Sequence, residues 1–507
     1  MSKITIASRK SDLARLQSYT VGDALKAKNP ELEIQYHFRE SLGDKNLNDP
    51  LWKMPEKGVF TADLSEGLAQ GKFDLVVHSW KDLPTQENSE TVVLATLARA
   101  DARDLLLAPK GRREARDLAG RRNLNILSSS PRREYNLQAF LAKHWPHQSI
   151  QPIDNVHFIP VRGNILTRVQ KLFSGDEDAL IVAKAALDRL LTENRAEFQE
   201  SKKILTDLVR QSQWMILPLS LNPTAAAQGA LAIEIRRGRN DLKELLSKIH
   251  DVSSFEMVEE ERNILRQFGG GCHQKLGISL QPHRHGRVLN IRGEESNRRK
   301  LLRPNEAVAS ENPDLDSSIK AFSSGSLQWS RREPINISLP ANEGIYVSHP
   351  EALPTAWSSH SFEKKFVWTA GTSSWAKLAS QNIWVHGTDD SLGESLPQIE
   401  HLANTAVQWT KLSHENAGGL IPLSPTYRLA DLPVNFDAFA NCTHFFWKSA
   451  KHLHRALELA PQILSAHHSC GMGHSSDEIQ SLIAPNKVHI FLDESDWRSH
   501  FGLNRTL

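Results

Sequence analysis

Cysteine is almost missing from this chain, with three in 507 residues. So sparse a set cannot supply a disulfide framework and points to a reducing compartment. Net charge is equally thin: 61 basic side chains face 59 acidic ones, a formal balance of +2. That balance gives no global field for nucleic acid or an anionic membrane, so any positive site must be local. No stretch approaches the roughly 18 consecutive apolar residues of a membrane span. The start, Met1-Ser2-Lys3-Ile4, lacks the apolar core of a secretion signal. The expectation is a cytoplasmic protein with neither membrane nor nucleic acid as partner. Metal ligands are scarce too. The cluster His467, His468, Cys470 and His474 fits no familiar zinc spacing, and no metal is expected.

What is present is concentrated in a few places. The run Gly269-Gly270-Gly271-Cys272 strips side chains from the approach to one sulfur. A cysteine that only fills a core needs no such clearing. Cys272 therefore reads as an attachment point or nucleophile on an exposed loop. The segment from Phe73 to His78 is an apolar run of the kind found in buried parallel strands, and it ends in Lys81-Asp82 with Pro84 closing the ladder. Ligands of open α/β sheets bind beyond the carboxyl ends of strands, which puts Asp82 at a crevice; the alternative is a solvated loop carboxylate.

Three Ser/Arg clusters follow strand-like runs and precede helical patterns: Ser8-Arg9-Lys10-Ser11, Ser128-Ser129-Ser130-Pro131-Arg132-Arg133, and Arg162-Gly163-Asn164 with Thr167-Arg168. A helix start with hydroxyls and free N–H groups favours an anion, and a guanidinium adds bidentate recognition of carboxylate or phosphate. Three such clusters, with one lone acid and one lone thiol, suggest a ligand bearing many carboxylates.

These segments, with Lys57-Gly58-Val59-Phe60, Arg103-Asp104, Ala227-Gln228-Gly229-Ala230 and Glu261-Arg262 in the same order, resemble the hydroxymethylbilane synthases (porphobilinogen deaminases) over about residues 1–310. The resemblance implies an enzyme of heme and tetrapyrrole biosynthesis. It would join porphobilinogen units head to tail on a dipyrromethane cofactor, held by a thioether to the cysteine matching Cys272, and release a linear tetrapyrrole. Asp82 matches the carboxylate that stabilises charge on pyrrole nitrogen, and Lys81 the cleft lysine. Ser129, Arg132, Arg133 and Arg162 match cofactor ligands. Arg9, Ser11, Arg162, Arg168 and Arg189 match substrate ligands, and Lys53, Lys57 and Phe60 a loop over the cleft. The chain departs from the pattern at Pro131, where leucine is usual, at Ala227, where glycine is usual, and in His273-Gln274-Lys275-Leu276 after the cysteine. A carboxylate-binding protein of two lobes would also explain the arginines, but not the glycine run with its thiol.

Alternating strand and helix patterns predict an α/β fold: two periplasmic-binding-protein-like lobes, a small α+β domain carrying Cys272, and a further α/β domain. The expected boundaries are 1–98 with 213–235 for the first lobe, which, as the resemblance implies, recovers a late strand near Trp214–Leu221, and 99–212 for the second. The cofactor domain is expected over 236–310, a linker over 311–340 and the last domain over 341–507. In that tail, Phe366 to Ser374 and Ser469 to Glu478 each read as strand, glycine turn and helix start, with Ser475 and Glu478 spaced as a capping box. Those turns, Thr426-Tyr427-Arg428, and His444 to Ala450 weakly resemble uroporphyrinogen-III synthase. The resemblance implies a bifunctional fusion that also cyclises the product, with Tyr427 as its candidate residue, although Trp447-Lys448 replaces the usual Thr-Ser type turn. The tail tryptophans 357, 368, 375, 384, 409 and 447 are expected in the core.

Overall fold

The computed structural model describes residues 2–40, 61–147, 153–270, 274–302 and 319–503. Cys272, Lys53, Lys57 and Phe60 lie outside the described residues. Four strands open the chain: β1 (Lys3–Arg9), β2 (Glu33–Arg39), β3 (Leu75–Ser79) and β4 (Thr91–Ala95). Five more follow: β5 (Asp104–Pro109), β6 (Asn123–Leu127), β7 (Asn155–Ile159), β8 (Ala179–Ala183) and β9 (Ser212–Ile216); β10 (Leu231–Arg236) then returns to the first group. The first sheet has the order β2-β1-β3-β10-β4 and the second β7-β6-β8-β5-β9. Each is parallel on one side (β2-β1-β3, β7-β6-β8) and antiparallel where β10 or β5 enters. The antiparallel strands are those whose neighbours in sequence cross between lobes. Leu75, Val76 and Val77 of β3 are fully or almost fully buried, as expected of a strand covered on both faces.

The strand near Trp214 belongs to the second sheet, where Trp214 pairs with Leu107, and the strand returned to the first lobe is β10. Both runs are apolar, and only long-range pairing separates them. The helix Asn240–Ser247, expected in the third domain, instead buries Leu242, Leu245 and Leu246 in the first lobe's core with Ile4, Leu75 and Leu231. A third unit follows: the helix Val252–Gln267, then β11 (Leu276–His283), β12 (Gly286–Gly293) and β13 (Asn297–Leu302) in an antiparallel sheet.

The tail begins earlier than its sequence suggests. Residues expected as linker form β14 (Ala321–Ser323) and β15 (Ser330–Pro334). Then come β16 (Gly344–Val347), β17 (Phe366–Thr369), β18 (Gly387–Thr388), β19 (Trp409–His414), β20 (Leu423–Asp431), β21 (His444–Trp447), β22 (His467–Cys470) and β23 (Val488–Ile490). They make two sheets, β14-β21-β22-β23 and β15-β20-β19-β16-β17-β18. β14 was hidden because it is three residues long; its Phe322 is buried beside Phe445 and Phe439. The capping box is not formed: Glu478 meets His454 at 2.7 Å, and Ser476 rather than Ser475 bonds back to Gly473.

Trp368, Trp375, Trp384, Trp409 and Trp447 are buried, while Trp357 is partly exposed. Several are shared with the second lobe. Trp375 Nε1 donates to the His144 carbonyl (3.0 Å), Trp384 Nε1 to the Trp214 carbonyl (2.8 Å), and the Ile216 N–H to the His386 carbonyl (2.8 Å). One apolar cluster accordingly joins Leu106, Phe140 and Trp145 to Trp375, Leu378 and Val385. Among the described residues no helix is long and apolar enough to cross a membrane, and no group of three or more His, Cys, Asp or Glu is placed to hold a metal.

Candidate active site

β3 stops at Ser79 and the chain turns through Trp80–Asp82, a single turn of 3₁₀ helix. Trp80 anchors this turn: it is fully buried, packs on Phe255 at 5.1 Å, and its N–H donates to the Ala230 carbonyl (3.1 Å). The turn is also gripped from the third unit. Arg262 donates to the carbonyls of Trp80 (3.4 Å), Leu83 (3.2 Å) and Pro84 (2.6 Å), and Arg266 Nε to that of Thr85 (3.1 Å). The consecutive carbonyls of Leu83, Pro84 and Thr85 need donors where the chain leaves the turn, and the two guanidinium groups supply them. Sequence reading matched Arg262 only as part of a motif and missed this role.

The helix carrying Arg262 ends in Gly269 and Gly270, at φ +87° and +61°. Their N–H groups return to the Arg266 and Leu265 carbonyls, closing the helix through left-handed residues. A Cβ on Gly270 would stand 2.5 Å from Thr85 Oγ1. The glycine run thus begins against the loop that follows Asp82, for a conformational and a steric reason.

Asp82 lines a cavity of about 60 Å³ with Arg9, Ser11, Gln17 and Ser79. Lys81 points elsewhere, its Nζ donating to Gln228 Oε1 (3.1 Å). Burial lowers the Lys81 pKa, Arg133 and Arg132 lower it further, and Asp82 and Asp104 oppose the shift. Arg168 is pushed down to about 10 by burial and by Arg133 and Arg162, against the pull of Asp82. Asp82, Lys81, Arg133, Arg162 and Arg168 therefore share one electrostatic neighbourhood. Arg189 is also lowered to about 10 by burial, and its Nη2 donates to the Gly229 carbonyl (2.8 Å), joining the second lobe to the segment leading into β10.

Arg132 and Arg133 are more committed than open receptors would be. Both are buried, and both pair with Asp104, at 2.8 and 2.7 Å. Arg132 Nη1 also donates to Asn222 Oδ1 (3.1 Å) and the Pro223 carbonyl (2.7 Å), and Arg133 Nη1 to the Ile181 carbonyl (3.0 Å). Asp104 further accepts from Asn222 Nδ2 (2.9 Å) and Gln228 Nε2 (2.8 Å). Burial alone would raise its pKa, but Arg133 and Arg132 hold it far below the usual carboxylate range. Asp104 is the hub that sequence reading missed. The signal available was an acid at the head of the apolar run Leu105–Ala108, a place no unpaired charge would tolerate. Ser129 is likewise occupied: its hydroxyl donates to the Val161 carbonyl (2.7 Å) and accepts from the Val161 N–H (2.8 Å), pinning the loop after β6 to the loop after β7.

Two departures from the family pattern have structural reasons. Pro131 takes the first helical position of Pro131–His144, where a missing N–H costs nothing. Ala227 stands at φ +68°, a left-handed conformation that glycine adopts more easily, and it is held there by a 2.7 Å bond from its N–H to Glu261. Glu261 in turn makes a bidentate pair with Arg99 at 2.7 and 2.9 Å.

The family profile described as "Porphobilinogen deaminase, dipyromethane cofactor binding domain" matches residues 4–244. The chain is 33% identical over 270 residues to the porphobilinogen deaminase of Acetivibrio thermocellus, covering 53% of this chain and 80% of that one. It is 33% identical over 302 residues to the enzyme of Natranaerobius thermophilus, covering 58% and 86%. Among solved structures, a periplasmic sulfonate-binding protein of Methylobacillus flagellatus aligns with 53% of this chain and 72% of its own at 13% identity and a TM-score of 0.27. With ordered motifs, a site turn clamped by the cysteine-bearing unit, and relatives matched over four fifths of their length, the chain belongs to the porphobilinogen deaminase family.

Proposed function

We propose that the chain is a hydroxymethylbilane synthase that joins four porphobilinogen molecules on a dipyrromethane primer attached through Cys272, then releases the linear product by hydrolysis. The observation that carries this reading is the crowd of cations around Asp82. Burial and the nearby Arg133 lower the basicity of both Lys81 and Arg168, with Arg132 acting also on Lys81 and Arg162 also on Arg168, a cost that a polycarboxylate ligand would relieve. The same donor set fits a dipyrromethane: Arg162 and Arg168 for carboxylates, Asp82 for ring N–H groups. When bound, that group supplies the carboxylates and the free α-carbon from which the chain grows.

The protein's own groups then have separable tasks. Asp82 lies beside Arg9 and Ser11, so a porphobilinogen carboxylate held by Arg9 brings the pyrrole N–H to the Asp82 carboxylate. That carboxylate stabilises positive charge on the ring nitrogen as ammonia leaves, and it accepts and returns a proton at its own oxygen. Lys81, tied to Gln228, sets the edge of the cleft. Arg262 holds the turn from behind so that Asp82 does not swing away from the reacting ring.

The test is the intact mass of the purified chain, with the colour it gives under acid with an aldehyde reagent for pyrroles. The wild type should carry dipyrromethane mass and colour; Cys272→Ser should carry neither. An equal covalent adduct on the variant would remove Cys272 from this role, and no adduct on the wild type would favour a carboxylate-binding protein of two lobes.

A second reading gives the tail the cyclising activity of uroporphyrinogen-III synthase. It is favoured by Tyr427, which lies on β20 with Arg332 above its ring at 5.7 Å and His414 at 6.1 Å, while Arg332 also meets Glu351 and His349. Such a cationic edge beside a buried tyrosine suits a carboxylated linear tetrapyrrole. If it works, the full chain given porphobilinogen should yield uroporphyrinogen III, and Tyr427→Phe should shift the product toward type I without slowing porphobilinogen use. Type I alone from the wild type would leave the tail a binding or bracing role.

A further inference from the structure

The tail meets the second lobe and the third unit at one strained spot. Asp390 and Ser391, just past β18, stand at φ +57° and +63°, two adjacent side-chain-bearing residues in the left-handed region. Such residues persist only where their surroundings fix them. The Asp390 carboxylate is almost fully buried and accepts both the N–H (2.9 Å) and the hydroxyl of Ser220. Its carbonyl accepts from Arg299 Nη2 on β13 (2.8 Å).

Ser220 sits in the loop 217–224, and that loop is the outer wall of the Asp104 hub. The Leu217 N–H donates to the Asp104 carbonyl (2.9 Å). Asn222 donates to the Asp104 carboxylate and accepts from Arg132, and the Pro223 carbonyl accepts from Arg132 as well. On the far side the Thr224 carbonyl accepts from the Ile278 N–H of β11 (2.8 Å). The tail also touches the residue before Asp104: the Arg103 guanidinium lies 5.8 Å above the Trp368 ring.

We propose that Asp390, a residue of the tail, is a positioning residue for the deaminase site: by holding Ser220 it fixes the loop 217–224, and through Asn222 and Pro223 it sets the guanidinium of Arg132. The inference rests on the reading of Arg132 as a ligand of the growing chain. It makes the tail part of the deaminase machinery, whether or not the tail has chemistry of its own.

The test uses the full chain with Asp390→Ala and Asp390→Asn. The amide can still accept the Ser220 N–H and pair with its hydroxyl, so it is the conservative rescue. Asp390→Ala should lower kcat roughly tenfold with a smaller change in KM, the size expected within one hydrogen-bond network. Its pyrrole colour should equal that of the wild type, and hydrogen exchange at 217–224 should quicken. Asp390→Asn should stay within about twofold in all three. Combined with Asn222→Ala, Asp390→Ala should add little, since both act through the same loop. Unchanged exchange at 217–224, or effects of Asp390→Ala and Asn222→Ala that simply add, would overturn the proposal. If Asp390→Ala fails to fold, Ser220→Ala, which removes only the hydroxyl bond, replaces it with the same readouts. A wild type that carries no pyrrole and consumes no porphobilinogen would instead overturn the synthase reading, and the exchange result would still decide the role of Asp390 in the loop.

Discussion

Replacing Asp104 by asparagine keeps the shape of the hub and removes its charge. Two buried guanidinium groups then face a neutral amide whose nitrogen is a donor where Arg132, Arg133 and Asn222 now donate to a carboxylate oxygen. Removing one partner of a buried ion pair costs about 3–5 kcal/mol because the remaining charge stays buried. Asp104 is fully buried and faces two arginines, so a loss in that range is expected for the second lobe. The pH dependence has a definite sign. The native pKa lies far below the usual aspartate value of about 3.9, so the stabilisation is fully present above about pH 4. Below that it is lost progressively, down to the native pKa in strong acid. Urea unfolding at several pH values, followed by tryptophan fluorescence and far-UV circular dichroism, should show a difference between wild type and Asp104→Asn that is constant from about pH 5 to pH 8. A loss under about 1 kcal/mol, or a difference that changes across that window, would refute the account of Asp104 as the ionised centre of the hub.

Asp82→Asn should keep the fold and the pyrrole colour while turnover drops by ~10²–10³, the usual cost of losing an electrostatic stabiliser; turnover within a few-fold of wild type would remove that role. His386 is buried where the tail meets β9, its Nδ1 accepting the Val367 N–H (3.1 Å), and burial pushes its pKa down to about 3. The native state therefore resists a proton that the unfolded chain takes up near pH 6.5, so stability should be greatest above that value and fall by up to about 1.4 kcal/mol per pH unit below it. Thermal melts between about pH 4.5 and pH 7.5 should show this slope flattened in His386→Asn; an equal slope would mean that the histidine is not held neutral.

Sequence alone located what depends on short stretches of chain. β3, with three consecutive apolar residues, was legible because strand burial is written in neighbouring residues, whereas the glycine run, read as clearance around the thiol, begins as a left-handed helix end at Gly269 and Gly270. The helix starts after the Ser/Arg clusters were legible too, since a serine or asparagine before an amphipathic run is a local signal; Asn164 does accept the Thr167 N–H at the head of its helix (2.8 Å). The order of these motifs also carried the family. What sequence could not settle is which apolar run joins which sheet. Trp214 and Leu231 lie on similar strands, and their assignment to different lobes rests on partners more than 100 residues away.

Tertiary structure alone decided the rest. Arg132 and Arg133 read as open anion receptors until Asp104 is seen between them, because a buried charge must be compensated by whatever the fold brings near. The expected linker 311–340 hides a strand because three residues leave no period to detect, although Phe322 of that strand is buried in a core. The docking of the tail tryptophans on the second lobe left no sequence signal either, since apolar side chains look the same whether they fill their own domain or bind a neighbour. Local pattern determines the pieces and their chemistry; long-range packing determines which charges are already spent and which remain for a ligand.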